Sequence, residues 1–278
     1  MKNNQFKKLA VLGAVALPLA SAAFGSVDVG LSLSGGYRWD NIRRSGDTAG
    51  ITGVTHISER DKANSLTIDL DAVVALNRDF YIRVNGNYGG VITKPKETVS
   101  LTGTSGSNTT VTLNDKNHCY GFGGAVGYQF DFSNGEFALA PEFGYTYSRM
   151  KILDTDFLGV GAPFLGLQFR WMFAQSWSMD LGVSYYFIGS RHERYAPAAA
   201  SGLGNGYLKK GNFMGPEANL AFFYYLGESW SLGLKYRFKY LESAKRTYPD
   251  GATSGARITN ERTRWITNHV SIEVGYTF

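Results

Sequence analysis

Val270-Ser271-Ile272-Glu273-Val274-Gly275-Tyr276-Thr277-Phe278 closes the chain in strict alternation. A strand turns successive side chains to opposite faces. Val270, Ile272, Val274, Tyr276 and Phe278 therefore share one face, and Ser271, Glu273, Gly275 and Thr277 the other. An apolar strand with an open edge recruits other chains in water. Closing the sheet into a membrane barrel pairs that edge with the first strand and turns the apolar face to lipid. A strand of an ordinary sandwich is the competing reading.

The opposite end agrees. Lys2, Lys7 and Lys8 precede a short apolar run, Leu9 to Leu17, and Ala20-Ser21-Ala22 has the small-x-small form of a cleavage site. The run is too short for a helical span, which takes about 20 residues. Residues 1–22 are expected to be a secretory signal peptide, with residues 23–278 as the barrel. With the three lysines gone the formal net charge falls from +5 to +2. No basic run marks a nucleic-acid surface. The single cysteine, Cys119, excludes an internal disulfide framework and is expected to be a small buried or lipid-facing residue.

Aromatics make up 14% of the chain and glycine is abundant, with 34, while proline is scarce, with 7. That balance suits strands, tight turns and aromatic belts. Period-two patterning from Val27 onward predicts an all-β fold of ten antiparallel strands. They are expected at Val27–Asp40, Leu66–Leu76, from Phe80, Tyr120–Phe130, from Phe137, Leu165–Phe173, Trp177–Phe187, Glu217–Leu226, Trp230–Tyr240 and at the C-terminus. Short turns fall at 77–79, 132–136, 174–176 and 227–229. Long polar connections fall at 41–64, 93–118, 149–162, 189–212 and 241–264. Short periplasmic turns and long outer loops are the rule for outer-membrane barrels. Phe80, Phe137, Trp177 and Trp230 each open a strand after a short turn, which predicts a periplasmic girdle.

Cost decides which face meets lipid. A Lys or Arg on the lipid face near the midplane costs roughly 2–4 kcal/mol. Lys235, Arg237 and Lys239 therefore point inward. The same parity lines the lumen with Arg38, Arg83 and Arg170, and with Asp40, Asp69, Asp71, Glu142, Asp180, Glu217 and Glu273. Several strands carry mainly Gly, Ala and Ser on the inner face, so the lumen is expected to be hydrated and to pass small solutes. The Lys235–Lys239 ladder, facing glycines across water, would bias it toward anions. A closed, salt-bridged interior is the alternative. Lys94, Lys96, Arg149 and Lys151 stand at outer strand ends, where lipopolysaccharide phosphates are candidate partners.

The terminal Tyr276-Thr277-Phe278, with the alternation before it, resembles the signal that outer-membrane barrels present to the barrel-assembly machinery, which implies that role for Tyr276 and Phe278. Ten strands with long outer loops also resemble the omptin family of outer-membrane proteases, which implies a peptide hydrolase as an alternative. Omptins use a D-x-D pair and an Asp-Glu-His-Tyr motif. Here the second outer loop offers only the isolated Glu97 and Asp115, and the fourth reads His192-Glu193-Arg194-Tyr195. Glu193 and Tyr195 match, but Arg194 replaces the His and cannot act as a base, since its pKa stays above 12. The chain is therefore not expected to be an enzyme. Gly35-Gly36-Tyr37-Arg38-Trp39-Asp40, on a barrel of this size, resembles the Protochlamydia outer membrane protein family. That resemblance implies a pore-forming envelope protein, with a purely structural or adhesive barrel as a further alternative. No phosphate loop, metal-ligand spacing or cofactor motif is found. No cofactor is expected, and a homo-oligomer is left open.

Overall fold

The structure is a computed structural model. It describes residues 28–49, 53, 55–76, 79–92, 96–103, 107–112, 118–151, 157–195, 207–209, 212–243, 246–248 and 257–278. The expected signal segment lies outside these residues, as do Lys94 and Asp115.

Ten long strands build the wall. They are β1 Asp28–Ala49, β2 His56–Ala75, β3 Phe80–Val91, β4 His118–Tyr128, β5 Phe137–Lys151, β6 Phe157–Ala174, β7 Trp177–Tyr195, β8 Asn212–Leu226, β9 Trp230–Ser243 and β10 Arg257–Thr277. Phe130–Phe132 extends β4 beyond an irregularity at Gln129. Each strand pairs antiparallel with the next, and β10 returns to β1 from Gly30↔Thr277 to Ala49↔Arg257, with one register shift between Ser45 and Asp47. The ten-stranded ring is closed, so its first and last strands leave no open edge at the seam. The C-terminus is tied into this seam, where the Phe278 amide donates to the Val29 carbonyl at 2.9 Å.

Asp28, the first described residue, Phe278 and the short turns share one end. The Ser133-Asn134-Gly135 turn is a single 3-10 turn, with Gly135 at φ +90°. The other end differs from the sequence expectation. Strands β1 and β2 do not stop at Asp40 and start at Leu66 but run on to Ala49 and from His56. Within the expected loops 149–162, 189–212 and 241–264 the described residues are likewise strand. Within 93–118 a hairpin, Lys96–Thr102 and Ser107–Thr112, continues the sheet beside β2. A tilted strand crosses a bilayer in about 9–11 residues, whereas β1, β2 and β10 have 22, 20 and 21. About half of each therefore stands beyond the apolar band.

Leu33, Leu66, Ile68, Leu70, Val84, Phe122, Phe143, Leu165, Leu234 and Ile272 all point out from the half nearer the short turns, and each is exposed. A contiguous apolar surface of this extent in water would aggregate; in lipid it is the solvent-facing side. Phe80, Phe137, Trp177 and Trp230 stand at its lower rim. Trp177 packs on Tyr224, Phe137 on Trp171, and Trp230 on Tyr276, which also meets Phe278.

Candidate functional site in the barrel interior

All thirteen lumen residues expected from parity do face the interior. The sequence did not reveal how they are arranged. They lie in two layers beneath a third layer that contains none of them.

The first layer is a vestibule of about 450 Å³, reaching from Asp28 and Thr277 at the short-turn end to Tyr186 and His269. Its charges are paired. Arg83 Nη2 lies 2.8 Å from Glu142 Oε2, and Glu142 also accepts from the Tyr81 hydroxyl (2.8 Å) and Gln168 Nε2 (3.1 Å). Arg170 binds Asp180 with both Nε and Nη2, at 2.9 and 2.8 Å. Lys235 forms an ion pair with Glu273 on the adjacent strand. Asp71 is within electrostatic reach of Arg83 and Lys235.

The second layer is narrower and encloses about 50 Å³. Glu217 accepts the Tyr186 hydroxyl at 2.8 Å and lies 3.6 Å from Lys239 Nζ and 3.8 Å from Arg237 Nε. Lys239 sits 4.0 Å above the Tyr186 ring, a cation–π contact. The Lys235–Lys239 ladder does not stand alone facing glycines across water, because Glu273 and Glu217, on the neighbouring strands, offset two of its three charges. Across the barrel His269 and the Thr67 hydroxyl hydrogen-bond at 2.7 Å, with Asp69 3.5 Å from the imidazole. Arg38 holds Asp40 with two hydrogen bonds, at 2.8 and 2.9 Å. Asp40 Oδ1 also accepts Trp265 Nε1 (2.8 Å) and the Thr267 hydroxyl (2.6 Å). A buried carboxylate is stable only when so fully satisfied.

The glycine walls leave less room than expected. A Cβ on Gly144 would lie 2.6 Å from the Phe164 ring, and one on Gly233 would lie 2.5 Å from the ring of Phe223. Glycine is used there so that large neighbours can lie flat across the strand.

The third layer, towards the long-loop end, is apolar. Ile42, Met150, Leu158, Phe213, Leu241 and Trp265, from six strands, are at most 2% exposed and pack into one cluster with Val160, Ala162 and Phe164. Polarity inverts along single strands. On β9 the inward series runs Lys235, Arg237, Lys239, then Leu241, while the outward series runs Leu234, Tyr236, then Glu242. On β10 the inward Glu273 and His269 give way to Trp265, and the outward Ile272 and Val270 to Arg264. Beyond the lipid the outer wall meets water, so the apolar residues must move inside. The sequence signal was present in Phe213, Leu241 and Trp265, which keep inward parity. It was lost because Leu241 fell within an expected loop, and Phe213 and Trp265 fell just outside the loops expected at 189–212 and 241–264.

Cys119 is buried and faces inward on β4. Arg149 faces outward at the top of β5 and donates to the Tyr120 hydroxyl at 3.1 Å. For Glu97 and His192-Glu193-Arg194-Tyr195 only the backbone is described; His192 and Glu193 pair with Gly159 and Leu158 of β6.

The family model described as Protochlamydia outer membrane protein matches residues 32–156. Among solved structures, the outer membrane protease OmpT of Escherichia coli superposes with a TM-score of 0.64 at 10% identity, covering 90% of this chain and 97% of that one. The β domain of the Bordetella autotransporter BrkA gives 0.40 at 12% identity, covering 90% and 98%. OprG of Pseudomonas aeruginosa gives 0.37 at 10% identity, covering 90% and 95%. No curated protein matches. The closed ten-stranded wall, its apolar outer band, the family match and the likeness to OmpT identify a bacterial outer-membrane β-barrel.

Proposed function

We propose that this barrel is a porin-type channel for small solutes, entered from the periplasmic side and shut in this conformation by the apolar layer. The charged vestibule of about 450 Å³ carries the proposal. A barrel serving only as a scaffold gains nothing from keeping such a volume, since interiors otherwise pack to crystal-like density. Ion pairs along its wall give a passing solute polar partners, and hydrophobic constrictions can gate by excluding water.

The packed apolar layer itself favours a second reading, a non-conducting envelope barrel that works through its outer extension. Planar-bilayer recording of the refolded protein separates the two. The channel reading expects small, intermittent openings from the wild type. The double variant Phe213→Ala/Leu241→Ala, which removes two plugs from the third layer, is expected to conduct several-fold more. Silence from both proteins would leave only the scaffold. A protease role has weaker support, because the likeness to OmpT is one of fold and Arg194 offers no base where the omptin pattern has a His. No cleavage of peptide substrates is expected.

A further inference from the structure

Three arginines stand side by side on the outer wall. Arg43 of β1 is the direct cross-strand partner of both Arg264 of β10 and Arg60 of β2. All three point outward, since Ile42, Asp61 and Trp265 beside them are buried inside. Lys62 and Arg262 flank the row on the same face. Like charges opposite one another on a sheet face are destabilising, and this face provides little to offset them. Glu242 is held by Arg262 (Nη2 to Oε2, 2.6 Å) and Arg264 (Nε to Oε1, 2.5 Å). Burial pushes the Glu242 carboxyl up, but hydrogen bonds from Arg264 and Arg262 and their charge outweigh it and hold it below the ordinary range. Arg60 donates to the neutral Asn41 at 3.1 Å. Exposed Arg43 has no acidic partner among the described residues. Asp47, higher on the same strand, is occupied by His56 and Asn260, each at 3.0 Å.

The height of the row matters as much as its charge. Stepping down the same strands, the outward rows are Asn41, Lys62 and Ile266, then Trp39 with Asn64 and Asn268, then Tyr37 with Leu66 and Val270; the Tyr37 and Trp39 ring centroids are 5.7 Å apart, and Leu33, Leu66 and Ile272 face lipid. The arginines therefore lie where the outer leaflet's headgroups begin. A guanidinium row there matches phosphate in charge and in its paired donors.

We propose that Arg264, Arg43 and Arg60 form a docking site for the phosphorylated headgroup of an outer-leaflet lipid of the lipid A type. The site rests on the outer-membrane placement of the barrel and is independent of whether the lumen conducts. The test uses the full barrel refolded in detergent and titrated with bisphosphorylated lipid A, the same lipid dephosphorylated, and inorganic phosphate. Heat-modified gel mobility reports folding of each variant. Losing charge-assisted contacts should weaken binding of bisphosphorylated lipid A by the triple variant R43Q/R60Q/R264Q at least about tenfold. The lysine triple R43K/R60K/R264K should keep most of the affinity. Dephosphorylated lipid should bind the wild type no better than it binds the glutamine variant. Equal affinity of the wild type and the glutamine variant for the phosphorylated lipid would overturn the site. Saturable competition by inorganic phosphate would show a free-anion site instead and would equally overturn a lipid dock.

Discussion

Asp40 carries the heaviest single load among the interior side chains. Four hydrogen bonds from Arg38, Trp265 and Thr267 converge on it, linking β1 to β10 at the floor of the apolar layer. Removing one member of a buried ion pair typically costs about 3–5 kcal/mol, because the other charge is left without compensation. Asp40→Asn is therefore expected to lower the urea midpoint of the refolded barrel strongly. Replacing both partners, as Arg38→Met/Asp40→Leu, should recover most of that loss. A single variant as stable as the wild type would mean that water reaches Arg38. Sequence parity placed both residues inside. Their partnership was not legible, because residues two apart on one strand share a face but their rotamers are set by Trp265 and Thr267, over 220 positions away.

At the scale of the strand, the change of polarity along β10 marks the outer surface of the membrane. Ile272 lies within the lipid-facing half, and Ile266, also outward, lies one step below Arg264. The cost of a cation on the lipid face depends on depth, roughly 2–4 kcal/mol at the midplane and near 0–1 at the interface. Ile272→Lys should therefore destabilise the barrel in liposomes by that larger amount, and Ile266→Lys hardly at all. Equal costs, read from denaturant unfolding, would place the boundary elsewhere. The lower half of this strand was readable because lipid enforces alternation without exception. In the upper half water bathes the outer wall, the alternation is reversed, and loop-like polar residues such as Arg262 and Asn268 hid a continuing strand.

The whole molecule joins two barrels end to end. The lower part has an apolar exterior and a charged interior; the upper part has a charged exterior and an apolar core. Inside, Glu273 beside Lys235 and Glu217 beside Arg237 and Lys239 offset two of the ladder's three positive charges. The anion bias expected from the cationic ladder alone is therefore weakened. In the opened Phe213→Ala/Leu241→Ala background, adding Glu217→Gln should unmask the ladder and shift the reversal potential in a salt gradient toward anions. An unmoved reversal potential would show that the ladder does not line the path.

The sequence by itself determined the closed barrel, its strand count and the inward direction of the charged side chains on the strands it read. These follow from local rules: period two, the cost of a cation in lipid, and the need to pair every edge. Only the tertiary structure decided how far the strands climb, which charges meet, and that an apolar cluster packs inside the upper barrel. Those outcomes depend on contacts between strands distant in the chain, such as Ile42 with Trp265 or Phe213 with Leu241, and on where the surrounding solvent changes from lipid to water.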